Sequence, residues 1–199
     1  MIYPEPVESL IKFYTLLPGV GEKTAERLAL ATLDINDDDI ENMIQNIVKV
    51  KQLKRCEICG NLSLDSICSI CKDDDRDKNL ICVIEDYKSI AAFEKAGNYK
   101  GVYHVLGGLI SPLDDITPDD INISSLVKRV RNLENPELII ALKSSIEGET
   151  TTLYIKKIFE DKNVNISRLS YGIPIGADID YLDFMTLDRA LADRKKISE

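Results

Sequence analysis

Four of the five cysteines lie close together in the sequence, in two Cys-x2-Cys pairs separated by eight residues. The pairs are Cys56 with Cys59 and Cys68 with Cys71. Each pair can bind one side of a tetrahedral ion, and the eight-residue loop lets the two pairs converge. Four thiolates leave no open coordination position, whereas catalytic zinc keeps one for water or substrate. The spacing therefore predicts one structural Zn2+ per chain, with four free buried thiols as the alternative.

A second group of residues has the types and the spacing to bind phosphate. Gly19 and Gly21 fall in a turn between two helical patterns, where glycines can expose backbone N–H groups at a helix N-terminus. Lys23 and Arg27 are four residues apart, so they share one face of the second helix and could extend the contact along a nucleic-acid backbone. A hairpin used only for packing is the alternative. The segment lacks the spacing of a Walker A loop, so ATP hydrolysis is not expected.

Carboxylates follow two of the strands that are expected in the second half of the chain. Glu85 comes directly after the run Ile81-Cys82-Val83-Ile84, and Glu147-Gly148-Glu149 follows the run at 138–142. Ligand sites of open α/β sheets lie at the carboxyl ends of the strands. Two or three of these carboxylates could hold Mg2+ for phosphoryl transfer. A solvated acidic rim or a protein contact surface is the alternative.

The elements that must position these groups change in kind along the chain. The first 55 residues have helical periodicity, and an acidic connector at 73–77 follows the cysteines. Short apolar runs then alternate with helical patterns, which predicts parallel strands covered on both faces and joined by crossover helices. The expected strands are 80–84, 101–106, 138–142 and 164–169, the expected helices are 90–96, 124–133 and 148–159, and a loop at 171–177 leads to a last helix at 186–193.

Composition and charge exclude several classes of protein. With 44% hydrophobic and 30% charged residues the chain is expected to be globular, and no apolar run approaches the roughly 20 residues of a membrane span. The start, MIYPEPVESLIKFY, lacks the features of a signal peptide, so a cytoplasmic protein without membrane contact is expected. The net charge of −9 excludes a protein that coats nucleic acid with its whole surface. Any such partner must meet a local basic patch, such as the acid-free segment 42–55.

The order of these motifs resembles the RecR family of bacterial recombination mediators. The helical hairpin with its GVG turn and the four-cysteine loop are followed by GVYHVLGG at 101–108, by Glu147-Gly148-Glu149, and by GIPIGADIDY at 172–181. The resemblance implies a multidomain α/β fold in four parts. They are a helix-hairpin-helix DNA-binding region at 1–55, a four-cysteine zinc finger at 56–72, a Toprim domain at 79–172, and a Walker B-like segment with a C-terminal helix at 173–199.

The resemblance also implies a function. RecR-like proteins are not enzymes, and they have no catalytic residues. They assemble from dimers into tetrameric rings that encircle single- and double-stranded DNA, pair with RecO and in some bacteria RecF, and help to load RecA during DNA repair. The resemblance assigns zinc to the four cysteines and DNA contact to Lys23 and Arg27, beside Gly19 and Gly21. It assigns the RecO contact to the acidic Toprim surface with Glu147 and Glu85, and it implies a location near the nucleoid.

A Mg2+-dependent Toprim nuclease or primase-like enzyme is the alternative function. Catalytic Toprim enzymes carry Asp-x-Asp before their Glu-Gly-Glu, and those two positions are Lys143 and Ser145 in this chain. A cation in place of one metal ligand repels Mg2+ where attraction is needed, which disfavours such chemistry. The usual Ala-Thr-Asn-Pro of the RecR family is also changed, to Ala141-Leu142-Lys143-Ser144. A zinc-stabilised scaffold that meets only proteins is a third possibility.

Overall fold

The computed structural model describes residues 2–170 and 172–194. The chain divides between Leu53 and Lys54 into two compact units. The N-terminal unit is entirely helical, and the second contains the cysteines, a four-stranded sheet and the C-terminal helix. This organisation confirms the predicted α/β multidomain class.

The N-terminal unit consists of three helices, α1 (Glu5–Thr15), α2 (Glu22–Ala31) and α3 (Asp37–Lys51). Helices α1 and α2 pack together, and the buried residues of α2 are Ala25 and Ala29, whose small side chains allow a close approach. The side chain of Asn36 caps α3 by accepting a hydrogen bond from the backbone N–H of Asp39 at 2.9 Å. Helix α3 has no buried residue, although its apolar residues follow a helical period.

The second unit begins with two short antiparallel strands, β1 (Lys54–Arg55) and β2 (Leu62–Ser63). A single helical turn, α4 (Ser69–Lys72), follows them. The four cysteines lie in the turns beside these elements. Lys54 and Arg55 therefore pair with the cysteine segment and belong to the second unit.

The sheet of the second unit is parallel throughout and has the strand order β4-β3-β5-β6. Its strands are β3 (Asp77–Ile84), β4 (Gly101–Val105), β5 (Glu137–Ala141) and β6 (Asn165–Arg168), and the intervening helices are α5 (Lys88–Ala96), α6 (Ile123–Val130) and α7 (Ile146–Ile158). Alternate residues of a strand point to opposite faces, so Ile81 and Val83 pack in the core with α6 and α7, and Cys82 and Ile84 pack with α5. The carboxyl ends of β3 and β5 thus lie side by side.

Strand β6 differs from the expectation that all four strands are covered on both faces. It is parallel to β5 as predicted, but only Ile166 is partly buried and its other three residues are exposed. Strand β6 lies at one edge of the sheet and carries the polar residues Asn165, Ser167 and Arg168, whereas the other edge strand, β4, is buried at all five positions. An edge position permits exposure, and the polar side chains of β6 make exposure favourable.

The C-terminal segment contains a last helix, α8 (Phe184–Ala192), capped by the side chain of Asp183. Tyr171, at the start of the expected loop, and residues 195–199 of the expected C-terminal part lie outside the described residues. No helix in the described ranges is both long and apolar enough to cross a membrane.

His104, the only histidine of the chain, is enclosed in the core on β4. Its Nε2 atom lies 2.9 Å from the backbone oxygen of Asn122, and its Nδ1 atom has no partner within the described residues. Burial lowers the pKa of His104 to about 4, below the ordinary value of 6.5, and the charge of Arg129 adds to this effect. The ring is therefore neutral at physiological pH.

This burial makes the stability of the second unit depend on pH. Between about pH 4 and 6.5 the unfolded chain binds a proton at His104 that the folded chain excludes. The neutral His104 ring therefore contributes its full amount to the free energy of unfolding above pH 6.5. About 3 kcal/mol of that free energy is lost as the pH falls towards 4. We expect the single histidine C2 resonance to keep its position from pH 7.5 to 5.5 in an NMR titration. A midpoint near 6.5 would contradict the prediction, and His104→Gln serves as the control for acid effects at other groups.

Candidate functional site

The four cysteines converge in the structure. Their sulfur atoms all lie within 4.8 Å of one another, and three of the four side chains are buried. The tight turn depends on Gly60, whose φ of +75° favours glycine. The backbone N–H of Cys56 donates to the oxygen of Asn61 at 2.7 Å, and the N–H of Gly60 donates to the oxygen of Cys56 at 2.8 Å. These bonds hold the first Cys-x2-Cys pair in a closed knuckle.

The chemistry of this group fits a thiophilic metal ion. Metal–sulfur bonds of about 2.3 Å in a tetrahedron place sulfurs about 3.8 Å apart. The sulfurs of Cys59 and Cys68 are 3.5 Å apart, and no pair of the four is separated by more than 4.8 Å. Backbone N–H groups already point at two sulfurs, from Cys68 to Cys56 Sγ at 3.3 Å and from Asn61 to Cys59 Sγ at 3.5 Å. The hydrogen bond between Cys59 and Cys68 raises the pKa of Cys59 and lowers that of Cys68. The four clustered cysteines can therefore hold a metal ion.

The hairpin of the N-terminal unit has the glycine turn that the sequence predicted. Gly19 has a φ of +80°, and the backbone N–H of Val20 closes the turn on the oxygen of Leu17 at 3.1 Å. Helix α2 then begins after Gly21, which has no side chain to cap it. The first N–H groups of α2 are therefore not satisfied by a side-chain cap, as an anion-binding helix start requires. Nothing lies within 4 Å of a Cβ built at either glycine, so the turn is open.

Lys23 and Arg27 lie on the exposed surface of α2, in its first turn and one turn later. Neither side chain forms an ion pair or a hydrogen bond with another described residue, whereas the nearby Glu26 accepts a hydrogen bond from the hydroxyl of Tyr3 at 2.5 Å. Both cations are therefore available to an external anion. Their spacing places them on one face, as predicted from the sequence.

The carboxyl ends of β3 and β5 bring Glu85 and Lys143 together. The Lys143 Nζ atom lies 3.5 Å from Glu85 Oε1, and the two side chains are 55% and 34% exposed. This crevice between adjacent strands is where α/β sheets bind ligands. The Lys143 ammonium thus lies beside Glu85 and would repel a divalent cation at this edge.

Glu147 lies in the first turn of α7, next to this ion pair. The pKa of Glu147 is lowered because the Ser145 hydroxyl and the backbone N–H of Glu147 itself donate to its carboxylate, with a further contribution from the charge of Lys143. Ser145 also caps α7 by accepting from the N–H of Gly148. A Cβ at Gly148 would overlap the backbone oxygen of Lys143, so this helix start requires glycine.

Glu149 does not join Glu85 and Glu147 in a common cluster. Its carboxylate lies 2.9 Å from Arg189 of α8 and 3.6 Å from Arg168 of β6, and Arg168 also pairs with Asp193. The hypothesis of a carboxylate site for Mg2+ therefore lacks its third ligand. Among the residues described, the four cysteines are the one group of three or more potential ligands placed to hold a metal.

Sequence reasoning missed the partners of several residues at this edge. It identified Lys143 as a cation in place of a metal ligand, but it did not identify Glu85 as its partner. It also gave no role to Ile70, which packs against both core clusters of the sheet as well as against the cysteines. The available signal was the apolar residue inside the second Cys-x2-Cys pair, which has no reason to be apolar in a solvated loop.

Comparison with known proteins relates the whole chain to one family. Family models match at residues 7–51 (RecR, helix-hairpin-helix), 79–170 (Toprim domain) and 172–195 (RecR, C-terminal). Proteins named Recombination protein RecR from the Staphylococcus aureus strains MRSA252, Newman and COL are each 45% identical to this chain over 198 residues. The alignments cover 99% of this chain and 100% of each relative.

Proposed function

The chain belongs to the RecR family of recombination proteins, and from this premise we propose that it acts as a non-enzymatic clamp that holds DNA and delivers a partner protein to it. Family membership confirms the resemblance that the order of motifs indicated. The observation that carries the proposal is the pair of exposed cations, Lys23 and Arg27, which have no partner among the described residues and lie beside an open glycine turn. The clamp acts in DNA repair by helping to load RecA on gapped or single-stranded DNA.

DNA contact in this proposal is made by the hairpin. The backbone N–H groups near Gly19 and Gly21 bind one phosphate, and Lys23 and Arg27 extend the contact to its neighbours. None of these groups reads a base edge, so single- and double-stranded DNA are both ligands. Weak, salt-sensitive affinity follows from so few contacts in a chain with a net charge of −9.

Enclosure of DNA by a ring would supply the affinity that charge does not. The uncovered apolar residues of α3 support a homo-oligomer, because Ile44, Val48 and Val50 are each at least half exposed. A second uncovered set lies in the C-terminal segment, where Tyr181, Phe184 and Met185 are exposed. Two separate apolar surfaces fit a dimer that assembles further into a tetrameric ring.

The partner contact is proposed at the carboxyl edge of the sheet, where Glu85 and Glu147 lie beside Lys143. RecO is the proposed partner there, and RecF a further one. The zinc proposal places one structural Zn2+ on Cys56, Cys59, Cys68 and Cys71. The proposed division is a DNA-binding region at 1–55, a zinc finger at 56–72, a Toprim domain at 79–172 and a C-terminal segment at 173–199, in a cytoplasmic protein that works at the nucleoid.

An assay for DNA cleavage separates the clamp from a Toprim nuclease. Glu85 forms an ion pair with Lys143, and Glu149 forms one with Arg189. The described part of the chain therefore has no cluster of three carboxylates for Mg2+. We therefore expect labelled single- and double-stranded DNA to stay intact in Mg2+ while it is retarded on a low-salt gel. Dose-dependent cleavage that Glu147→Ala abolishes would refute the clamp. Intact DNA without any retardation would instead favour a scaffold that meets only proteins.

A further inference from the structure

The cysteine loop, residues 56–71, is joined to the core of the sheet unit. Ile70 lies between Cys68 and Cys71 and packs against the core clusters on both faces of the sheet. The ammonium of Lys78 on β3 donates to the backbone oxygen of Cys71 at 3.1 Å. The loop is therefore packed against the sheet and is not an independently moving module.

One route of contacts runs from the loop to Glu85 through the end of β4. The backbone N–H of Val105 donates to the oxygen of Cys59 at 2.7 Å. Directly after it, the N–H of Leu106 donates to the oxygen of Ile84, and that of Gly107 donates to the oxygen of Glu85, both at 2.9 Å. Three consecutive residues thus bind the loop with the first N–H, and the backbone oxygens of Ile84 and Glu85 with the next two.

The turn at Gly60 allows the cysteine loop to lie close to the end of β4. A Cβ at Gly60 would come within 3.1 Å of the backbone oxygen and 3.2 Å of the Cβ of Val105. The oxygen of Val105 also accepts a hydrogen bond from the side-chain amide of Asn122. A side chain at position 60 would therefore push the loop away from the end of β4.

A second route reaches the other side of Glu85. The guanidinium of Arg55, the residue before Cys56, lies 4.3 Å from the centre of the Tyr87 ring. Tyr87 follows Glu85 by two residues and leads into α5. The loop reaches Glu85 through residues 105–107, and Arg55, which precedes the loop, reaches the other side of Glu85 through Tyr87.

From these two routes we propose that the four-cysteine loop, together with the adjoining Arg55, positions Glu85 for its partner. The inference deepens the proposed function, because it rests on the partner contact at Glu85. Arg55 is a positioning residue in this view, and its cation is the property that matters.

The test uses the full-length, metal-loaded chain with Arg55 changed to Leu or to Lys. Arg55→Leu removes the cation over Tyr87 without touching a metal ligand, and Arg55→Lys keeps it. We expect Arg55→Leu to retain its metal, to exchange amide hydrogens faster at 84–87, and to bind purified RecO about threefold more weakly by calorimetry. Arg55→Lys and the neighbouring exposed variant Lys54→Ala should behave like the unmodified chain. Gly60→Ala is expected to speed exchange at 105–107 as well.

The outcomes separate this inference from the function on which it rests. Unchanged exchange at 84–87 in Arg55→Leu, with metal retained, would overturn the positioning role. Equal losses in the Leu and Lys variants would overturn it too, because the cation would then be irrelevant. If Glu85→Gln leaves RecO binding intact, the partner assignment fails instead, while the exchange measurement still decides whether the loop holds Glu85.

Discussion

Removal of the metal is expected to unfold residues 54–72 and to loosen the sheet unit with them. Four thiolates that face one another repel, and the ion offsets that repulsion with apparent binding energies of about 10–16 kcal/mol in zinc-finger peptides. The strands β1 and β2 have two residues each, so they contribute little stability of their own. Without the ion, the packing of Ile70 against both faces of the sheet is lost as well.

The measurement combines metal analysis with hydrogen exchange. We expect about one Zn2+ per chain as purified, its release by a strong chelator, and loss of amide protection first at 54–72 and then at 105–107. Cys68→Ser should reproduce this state, because it removes one ligand with little change of volume. Ser69→Ala, at an exposed neighbour that is not a ligand, should not. Metal-free protein with full protection in the loop would refute both the metal and its structural role.

Loss of the two hairpin cations is expected to weaken DNA binding equally on all sequences. In Lys23→Ala with Arg27→Ala, two phosphate contacts disappear and fewer counterions are released on binding. The slope of log K against log salt should flatten by about 1.8 on duplex DNA and about 1.4 on single strands, because each contact contributes about 0.9 or 0.7. The variant should fold normally, since both side chains are exposed and form no bond with a described residue.

A charge-matched control variant separates the effect of where the two cations lie from the effect of the change in net charge. Lys156→Ala with Lys157→Ala removes the same two charges from the exposed surface of α7 in the other unit. Its salt slope should equal that of the unmodified chain. If instead the α7 variant flattens the slope and the hairpin variant does not, the DNA contact lies on the sheet unit and the proposed hairpin contact is wrong.

Much of the fold could be predicted because the apolar pattern is strong and local. The run at 138–142 became β5, shifted by one residue, and the run at 80–84 became the end of β3, which begins three residues earlier at Asp77. The turn at Gly19 follows from a backbone that only glycine adopts readily. The exposure of β6 could not be predicted in this way. Val164 and Ile166 resemble a buried strand locally, but burial depends on what covers the strand, and the other edge strand, β4, is buried throughout.

The sequence by itself determined the four cysteines that can hold a metal ion, the cationic face of the hairpin and the order of the domains. Each of these depends on spacing along a short segment, so the residues alone specify it. Only the tertiary structure decided that Lys143 pairs with Glu85, that Glu149 pairs with Arg189, and that the cysteine loop and Arg55 reach the two sides of Glu85. Those contacts join residues from 22 to 58 positions apart, and no local pattern records which strand ends will be neighbours.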